Sequence, residues 1–312
     1  MSSHPTSSSN STLSRSNRPS FDPEEQFNSR LPTTPGSLWK NLRSIRRIVG
    51  VLLWGAISCI ILPILAYTSR PLSKRFPRLF WSMLCWILSV KVRKIGKNAG
   101  SYKKRADGKY VIYVANHTSW LDIVVLGKIL PTCFLSKEEV QHWPLIGFLS
   151  NLAGTVYTTR DPRDANVNIR DMLARMEEGN NIAFFPEGTT SDGRSVMPFV
   201  PSLFAIAKPP KNRQNTEEII TPPMLIQPVS IVYDQLEGLP VGRTRRISVF
   251  SWFGDMELNP HVWALGKWRS MRASVIFHEP LDPDSFPSRR TLSNAAHEAI
   301  RQGCEDLRQN RL

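Results

Sequence analysis

The stretch VIYVANHTSWLD, residues 111–122, sets the terms on which the rest of the chain is read. A β-rich apolar run beginning at Tyr110 ends near Ala115, and a polar turn then leads into an apolar helical pattern. Ligands of open α/β sheets bind outside the carboxyl ends of the strands, so His117 emerges at such a mouth. Thr118 or Ser119 is positioned to cap the helix that follows. Asp122 falls in that helix's first turn, five residues after His117, where a turn can bring its carboxylate back to the imidazole. The carboxylate would fix the ring's tautomer and leave the other nitrogen to take a proton. The same spacing also serves plain helix capping, because acidic residues are favoured at helix N-termini.

Outward from that stretch, β-rich runs recur at Thr132–Leu135, Thr155–Tyr157, Ile182–Phe185, Met224–Val232, Ile247–Phe253 and Ala273–Phe277. Helical stretches separate the early ones, at Ser119–Ile129, Trp143–Leu152 and Asp164–Glu178. This alternation predicts an α/β fold, a largely parallel sheet flanked by helices, over residues 96–312. Residues 209–223 are polar with four prolines and read as a loop insertion. Leu292, Ala295, Ala296, Ala299, Ile300, Gly303 and Leu307 share one helical face, so the chain closes on an amphipathic helix.

A second segment, NIAFFPEGTTSDG at residues 181–193, also ends a buried strand in reactive groups. Pro186, Glu187, Gly188, Thr189 and Thr190 form a strand-to-turn element with hydroxyls and backbone N–H groups at one edge. Gly188 permits close backbone approach, and turns of this kind bind anions or developing oxyanions.

The N-terminal quarter is built differently. Residues 1–36 hold ten serines and five prolines without apolar periodicity, which predicts a disordered tail. Residues 37–95 read as a membrane-associated helical segment. Ile48 to Thr68 carries no charged residue over 21 positions, long enough for a bilayer core of about 30 Å. A shorter apolar run, Leu79 to Val90, follows with Trp81 and Trp86, the residue type favoured at the interface. Basic residues flank the long run on both sides, so charge assigns no orientation. Either one helix spans while the other lies at the interface, or both dip into one leaflet; the paired lengths favour the second. The expected location is a bacterial inner membrane at its cytoplasmic face, or an equivalent cytosol-facing membrane.

A net charge of +14 calls for an anionic partner but does not choose among lipid, nucleic acid and acidic carriers. The four cysteines include no CxxC pair, which argues against a zinc ribbon or a disulfide framework. No HExxH or HxH metal pattern and no GxSxG nucleophile elbow occurs, which argues against a metallohydrolase or a serine lipid hydrolase. A nucleic-acid binder would leave residues 48–90 unexplained, and a basic membrane scaffold would leave the spacing of His117, Asp122 and Glu187 to coincidence.

Taken together the motifs resemble the glycerolipid acyltransferases typified by lysophosphatidate acyltransferase. NHxxxxD is matched by Asn116, His117 and Asp122, and FPEGT by Phe185, Pro186, Glu187, Gly188 and Thr189. The strand leading to an arginine is matched by residues 154–160, ending at Arg160, and an apolar strand with a proline by Ile226 to Val229. The resemblance implies an O-acyltransferase that moves a fatty acyl chain from acyl-CoA or acyl carrier protein to a lysolipid hydroxyl. His117 would be the general base oriented by Asp122, while Arg160, Glu187, Gly188 and Thr189 would position the acceptor's headgroup. No metal and no organic cofactor is implied. The acceptor expected from the family is 1-acylglycerol-3-phosphate, giving phosphatidate. Two departures point elsewhere: Thr190 stands where an arginine often follows EGT, and Val200 where a cation often follows Pro-Phe. Each removes a charge-assisted contact to a phosphate. Another lysolipid, such as lyso-ornithine lipid, is the alternative, and relatives acting on it look similar around EGT-Ser/Thr-Ser-Asp-Gly.

Overall fold

The computed structural model describes residues 38–101, 105–142, 147, 155–158, 165–209 and 221–312. The tail, most of the Trp143–Leu152 helix, Arg160 and the centre of the proline-rich insertion lie outside the described residues.

Two long helices open the described chain. α1 covers Leu38–Thr68 and runs through Pro63. α2 covers Arg70–Leu88 and ends at Ser89, which takes φ +56° while its N–H caps the carbonyls of Cys85 and Trp86. The strand β1, Val90–Ile95, follows at once. The sequence predicts residues 37–95 as helical throughout, and β1 corrects its end: neither glycine nor proline punctuates the boundary.

The remaining elements alternate as expected. They are β2 Tyr110–Ala115, α3 Leu121–Ile129, β3 Thr132–Lys137, β4 Val156–Thr158, α4 Ala165–Glu177, β5 Asn181–Phe184 and β6 Met224–Leu236. After them come β7 Leu239–Pro240, α5 Arg243–Phe250, α6 Leu258–Gly266, β8 Met271–Phe277 and α7 Arg289–Arg308. α7 begins with a capping box between Ser288 and Thr291. The strands form one sheet in the order β1-β8-β6-β2-β5-β3-β4, with β7 folded back on β6. From β6 to β4 every pairing is parallel, whereas β8 runs antiparallel to β6 and carries β1 parallel beside it.

One expected strand is a helix. The run Ile247–Phe253 has the composition of a strand, yet Arg243–Phe250 is α5. Its β-branched and aromatic residues are weak local signals that tertiary contacts override. Helical spacing turns Arg246 and Phe250 to the same neighbour: Arg246 Nε donates to the Tyr233 carbonyl, and the Phe250 ring stacks on Tyr233 at 4.6 Å.

Two cores line the two faces of the sheet. One packs Tyr113, Val229, Ile231 and Tyr233 under α2 and α3. The other packs Ile112, Val114 and Phe184 under α4 and α7. Alternation along β2 divides its residues between them, as the pleat requires. α1 is long and apolar enough to cross a membrane, and little of its apolar stretch is buried. Leu38, Leu42, Ile45, Val49, Leu52, Ile60, Ile64 and Tyr67 form an exposed stripe along its whole length. An outward apolar face of that extent is what membrane association requires.

Candidate active site

β2 and β5 are adjacent parallel strands, and Val114 pairs with Phe184. The two motif loops therefore leave the sheet side by side at the same end. β6 lies on the other flank of β2 and runs on past it, which brings Tyr233 over the turn.

His117 Nδ1 lies 3.0 Å from Asp122 Oδ2. That oxygen also accepts the backbone N–H groups of Thr118 at 2.7 Å and Ser119 at 2.9 Å. Oδ2 is thus an acceptor already, and the ring donates through Nδ1. Nε2 makes no hydrogen bond among the described residues and keeps its lone pair for a proton. Asp122 Oδ1 accepts the Tyr233 hydroxyl at 2.6 Å. The Asp122 carboxylate is fully buried, and four donors satisfy it. Burial, with the charge of Asp122 beside it, holds the Tyr233 hydroxyl well above the usual phenol range, so Tyr233 stays a donor.

The ring is held from below as well. Phe185 stacks on His117 with centroids 3.8 Å apart and an 11° interplanar angle. Glu187 Oε1 accepts the His117 backbone N–H at 2.7 Å, and Ser191 donates its N–H to the His117 carbonyl at 2.9 Å. Asn116 clasps the Ile231 backbone through both amide atoms, at 3.0 and 2.8 Å, locking the turn to β6.

Glu187 is turned inward, away from the rim where Gly188 and Thr189 lie. Its side chain is buried and its second oxygen accepts the Met197 N–H at 2.9 Å. A carboxylate whose two oxygens face backbone amides ties the His117 turn to the following loop. Burial, set against only two donors, pushes its carboxyl up to about 7. Gly188 and Thr189 are exposed at the rim, and Gly188 takes φ +71°. Its N–H closes onto the Phe185 carbonyl at 3.1 Å, a turn that glycine enters without strain. Arg160 lies outside the described residues, just past β4. No group of acidic, cysteine or histidine side chains among the described residues could hold a metal ion.

A family model described as Acyltransferase matches residues 97–232, which contain both motif loops and most of β6. The lyso-ornithine lipid O-acyltransferase of Rhodobacter capsulatus is 39% identical over 61% of this chain and 64% of its own length. The 1-acyl-sn-glycerol-3-phosphate acyltransferase of Neisseria gonorrhoeae is 30% identical over 61% of this chain and 68% of its own length. The chain belongs to the glycerolipid acyltransferase family. The fold agrees with the crystal structure of the 1-acyl-sn-glycerophosphate acyltransferase PlsC from Thermotoga maritima. The TM-score is 0.56, with 21% identity over 85% of this chain and 97% of that one. Transfer to a hydroxyl calls for a proton acceptor, and His117 Nε2, which no serine or cysteine side chain among the described residues engages, is placed to be one.

Tyr233 and Ser191 escaped the reading of the sequence, and Phe185, legible as part of the FPEGT motif, gave no sign there of its stacking on His117. Tyr233 stands 111 positions from Asp122, and nothing near it marks a reactive residue.

Proposed function

We propose that this acyltransferase transfers a fatty acyl chain from a thioester donor to the free hydroxyl of lyso-ornithine lipid. The observation that carries the chemistry is the 3.0 Å contact of His117 Nδ1 with Asp122, which leaves Nε2 unpartnered. The acceptor's hydroxyl gives its proton to Nε2 as its oxygen bonds the thioester carbonyl carbon. The tetrahedral oxyanion collapses, the C–S bond breaks, and the leaving thiolate takes the proton back from the ring. Asp122 keeps the imidazole in the right tautomer and stabilises its charged form. Thr189 offers an exposed hydroxyl to the acceptor, and Arg160 its guanidinium. Arg160→Ala is expected to raise the acceptor's KM roughly 10- to 150-fold, the value of a charged hydrogen bond.

The choice of acceptor is supported by the higher identity of the lyso-ornithine relative. Thr190 and Val200 also supply no cation for a phosphate. The Neisseria relative favours 1-acylglycerol-3-phosphate as a second reading. Purified protein given acyl-CoA and a panel of lysolipids separates the two. Turnover should be fastest on lyso-ornithine lipid and fall at least about 100-fold in His117→Ala. Preference for lysophosphatidate would overturn the acceptor, and normal turnover in the variant would overturn the mechanism.

We infer further that α1 and α2 enter a single leaflet of a cytosol-facing membrane. Near its start, α1 is tied to the end of α6: Arg43 donates to the Lys267 carbonyl, and Arg47 to those of Gly266, Trp268 and Arg269. Just past the other end of α1, Lys74 and Arg78 of α2 donate to the carbonyls of Glu178 and Lys128. A helix of about 46 Å anchored near both ends to one globular domain does not cross a bilayer. Cysteines at Leu38→Cys and Thr68→Cys should both react with an impermeant thiol reagent added on the cytosolic side. Protection of one of them would argue for a spanning helix.

A further inference from the structure

Beside the His117 turn lies a second concavity, an open cleft of about 550 Å³. The loop at residues 193–196, the start of α5 and the last turns of α7 wall it. Five arginines face it: Arg194, Arg243, Arg246, Arg301 and Arg308. Two are compensated, Arg194 by Asp192, and Arg301 by Glu298 and Glu305. Arg243, Arg246 and Arg308 have no carboxylate partner among the described residues. Arg246 and Arg308 spend N–H groups only on main-chain carbonyls. Nε of Arg308 is buried without a partner. Three guanidinium groups without a direct carboxylate contact around one hollow form a site for several negative charges at once, since arginine is suited to phosphate recognition.

The cleft is coupled to the catalytic turn. Arg246 and Arg308 share a small void of about 10 Å³ with Thr118 and Tyr233, which both hydrogen-bond to Asp122. The charge of Arg308 also reaches Glu187. One wall of the cleft, α7, packs on the sheet face opposite the membrane-facing pair α1 and α2. The other wall, α5, packs through Val249 and Phe250 into the same core as α1 and α2, so the cleft opens where the two layers meet.

We propose that this cleft holds the phosphate groups of a nucleotide-linked acyl thioester, the coenzyme A portion of the donor. The proposal rests on the acyl-transfer reading of His117 and deepens it. Charge count favours the donor over the acceptor. A pyrophosphate with a phosphomonoester brings several negative charges to match three guanidinium groups that contact no carboxylate, whereas lysophosphatidate brings one phosphate and an ornithine lipid none. An acyl carrier protein would need a broad basic surface, and here the free arginines are gathered into a hollow.

The probe is adenosine 3′,5′-bisphosphate, which carries two phosphates of the donor and no thioester. Its binding to the full-length protein in detergent is measured by calorimetry, apart from turnover. Wild type and His117→Ala should bind it equally, which keeps this test independent of the catalytic reading. Arg243→Gln with Arg308→Gln should weaken binding by about 100-fold, roughly tenfold for each charged hydrogen bond lost. The same pair should raise the KM for acyl-CoA by a similar factor and leave the KM for the lysolipid unchanged. Unaltered binding in the double variant would overturn the proposal. So would a KM rise confined to the lysolipid, which would make the cleft a headgroup site. A defect seen only with acyl carrier protein as donor would reassign it to protein docking. Circular dichroism of the variant matching wild type excludes unfolding as the cause.

Discussion

The turns after β2 and β5 each bury one carboxylate against the same histidine, and the two are treated differently. Asp122 receives four donors, one of them the imidazole and one a phenol from a distant strand. Glu187 receives two, both backbone amides, and burial raises its carboxyl to about 7. Neighbouring carboxyl groups in one fold are thus set apart by their donors. The first sits where it can serve chemistry through the ring, and the second serves as a strut for the chain that carries it.

The comparison breaks most severely at Asp122. Asp122→Asn keeps the shape but offers an N–H to Nδ1, favouring the wrong tautomer, and should lower kcat by about 10²- to 10⁴-fold. The double variant with His117→Ala should be scarcely worse than His117→Ala alone, because the two residues act as a unit. Additive losses in steady-state kinetics would show that they act separately.

At Glu187 the expected effect is on stability and its pH dependence. Glu187→Gln turns an NH₂ group toward a backbone N–H and should cost about 1–3 kcal/mol in denaturant unfolding. The wild-type carboxyl has an ordinary value of 4.5 and lies near 7 in the fold. The folded state therefore holds an extra proton between those values. That contribution to stability is complete below about 4.5 and is lost as pH rises through about 7. The advantage of wild type over Glu187→Gln should accordingly narrow from about pH 5 to pH 8. A constant difference in melting temperature across that range would mean that Glu187 titrates normally.

Tyr233→Phe tests the fourth donor on Asp122 and sharpens the contrast. The ring and its stacking on Phe250 are kept, so the fold should hold. Losing one charged hydrogen bond should lower kcat roughly tenfold, with both KM values unchanged. The acidic limb of the pH–rate profile should move, because Asp122 then holds the imidazolium differently. An unmoved profile with a lower melting temperature would make Tyr233 a packing residue only.

The smallest effect belongs to Thr189, which touches neither carboxylate. Thr189→Ala removes one neutral, exposed hydroxyl and should raise the acceptor's KM only about two- to tenfold. A larger change in kcat would bring that hydroxyl into the reaction itself.

Local pattern was enough for much of this protein. Alternating apolar runs marked β2, β5 and β6, and the helical face of residues 292–307 marked α7, because strand and helix periods survive in the sequence. His117 and Asp122 were legible together, since a single turn joins them. The α5 segment was not, because eight residues with β-branched and aromatic side chains carry no decisive period. Neither was β1, which follows α2 across a serine in the left-handed region and has no glycine or proline to announce it.

By itself the sequence determined the α/β order, the apolar character of α1, and the closeness of His117 to Asp122. All three are encoded within a few turns of chain. Tertiary structure alone decided that Tyr233 reaches Asp122, that Glu187 turns inward, and that arginines from α5, α7 and the 193–196 loop meet in one cleft. Those contacts depend on which strands lie side by side and in what register. That is a property of long-range pairing, which no local period carries.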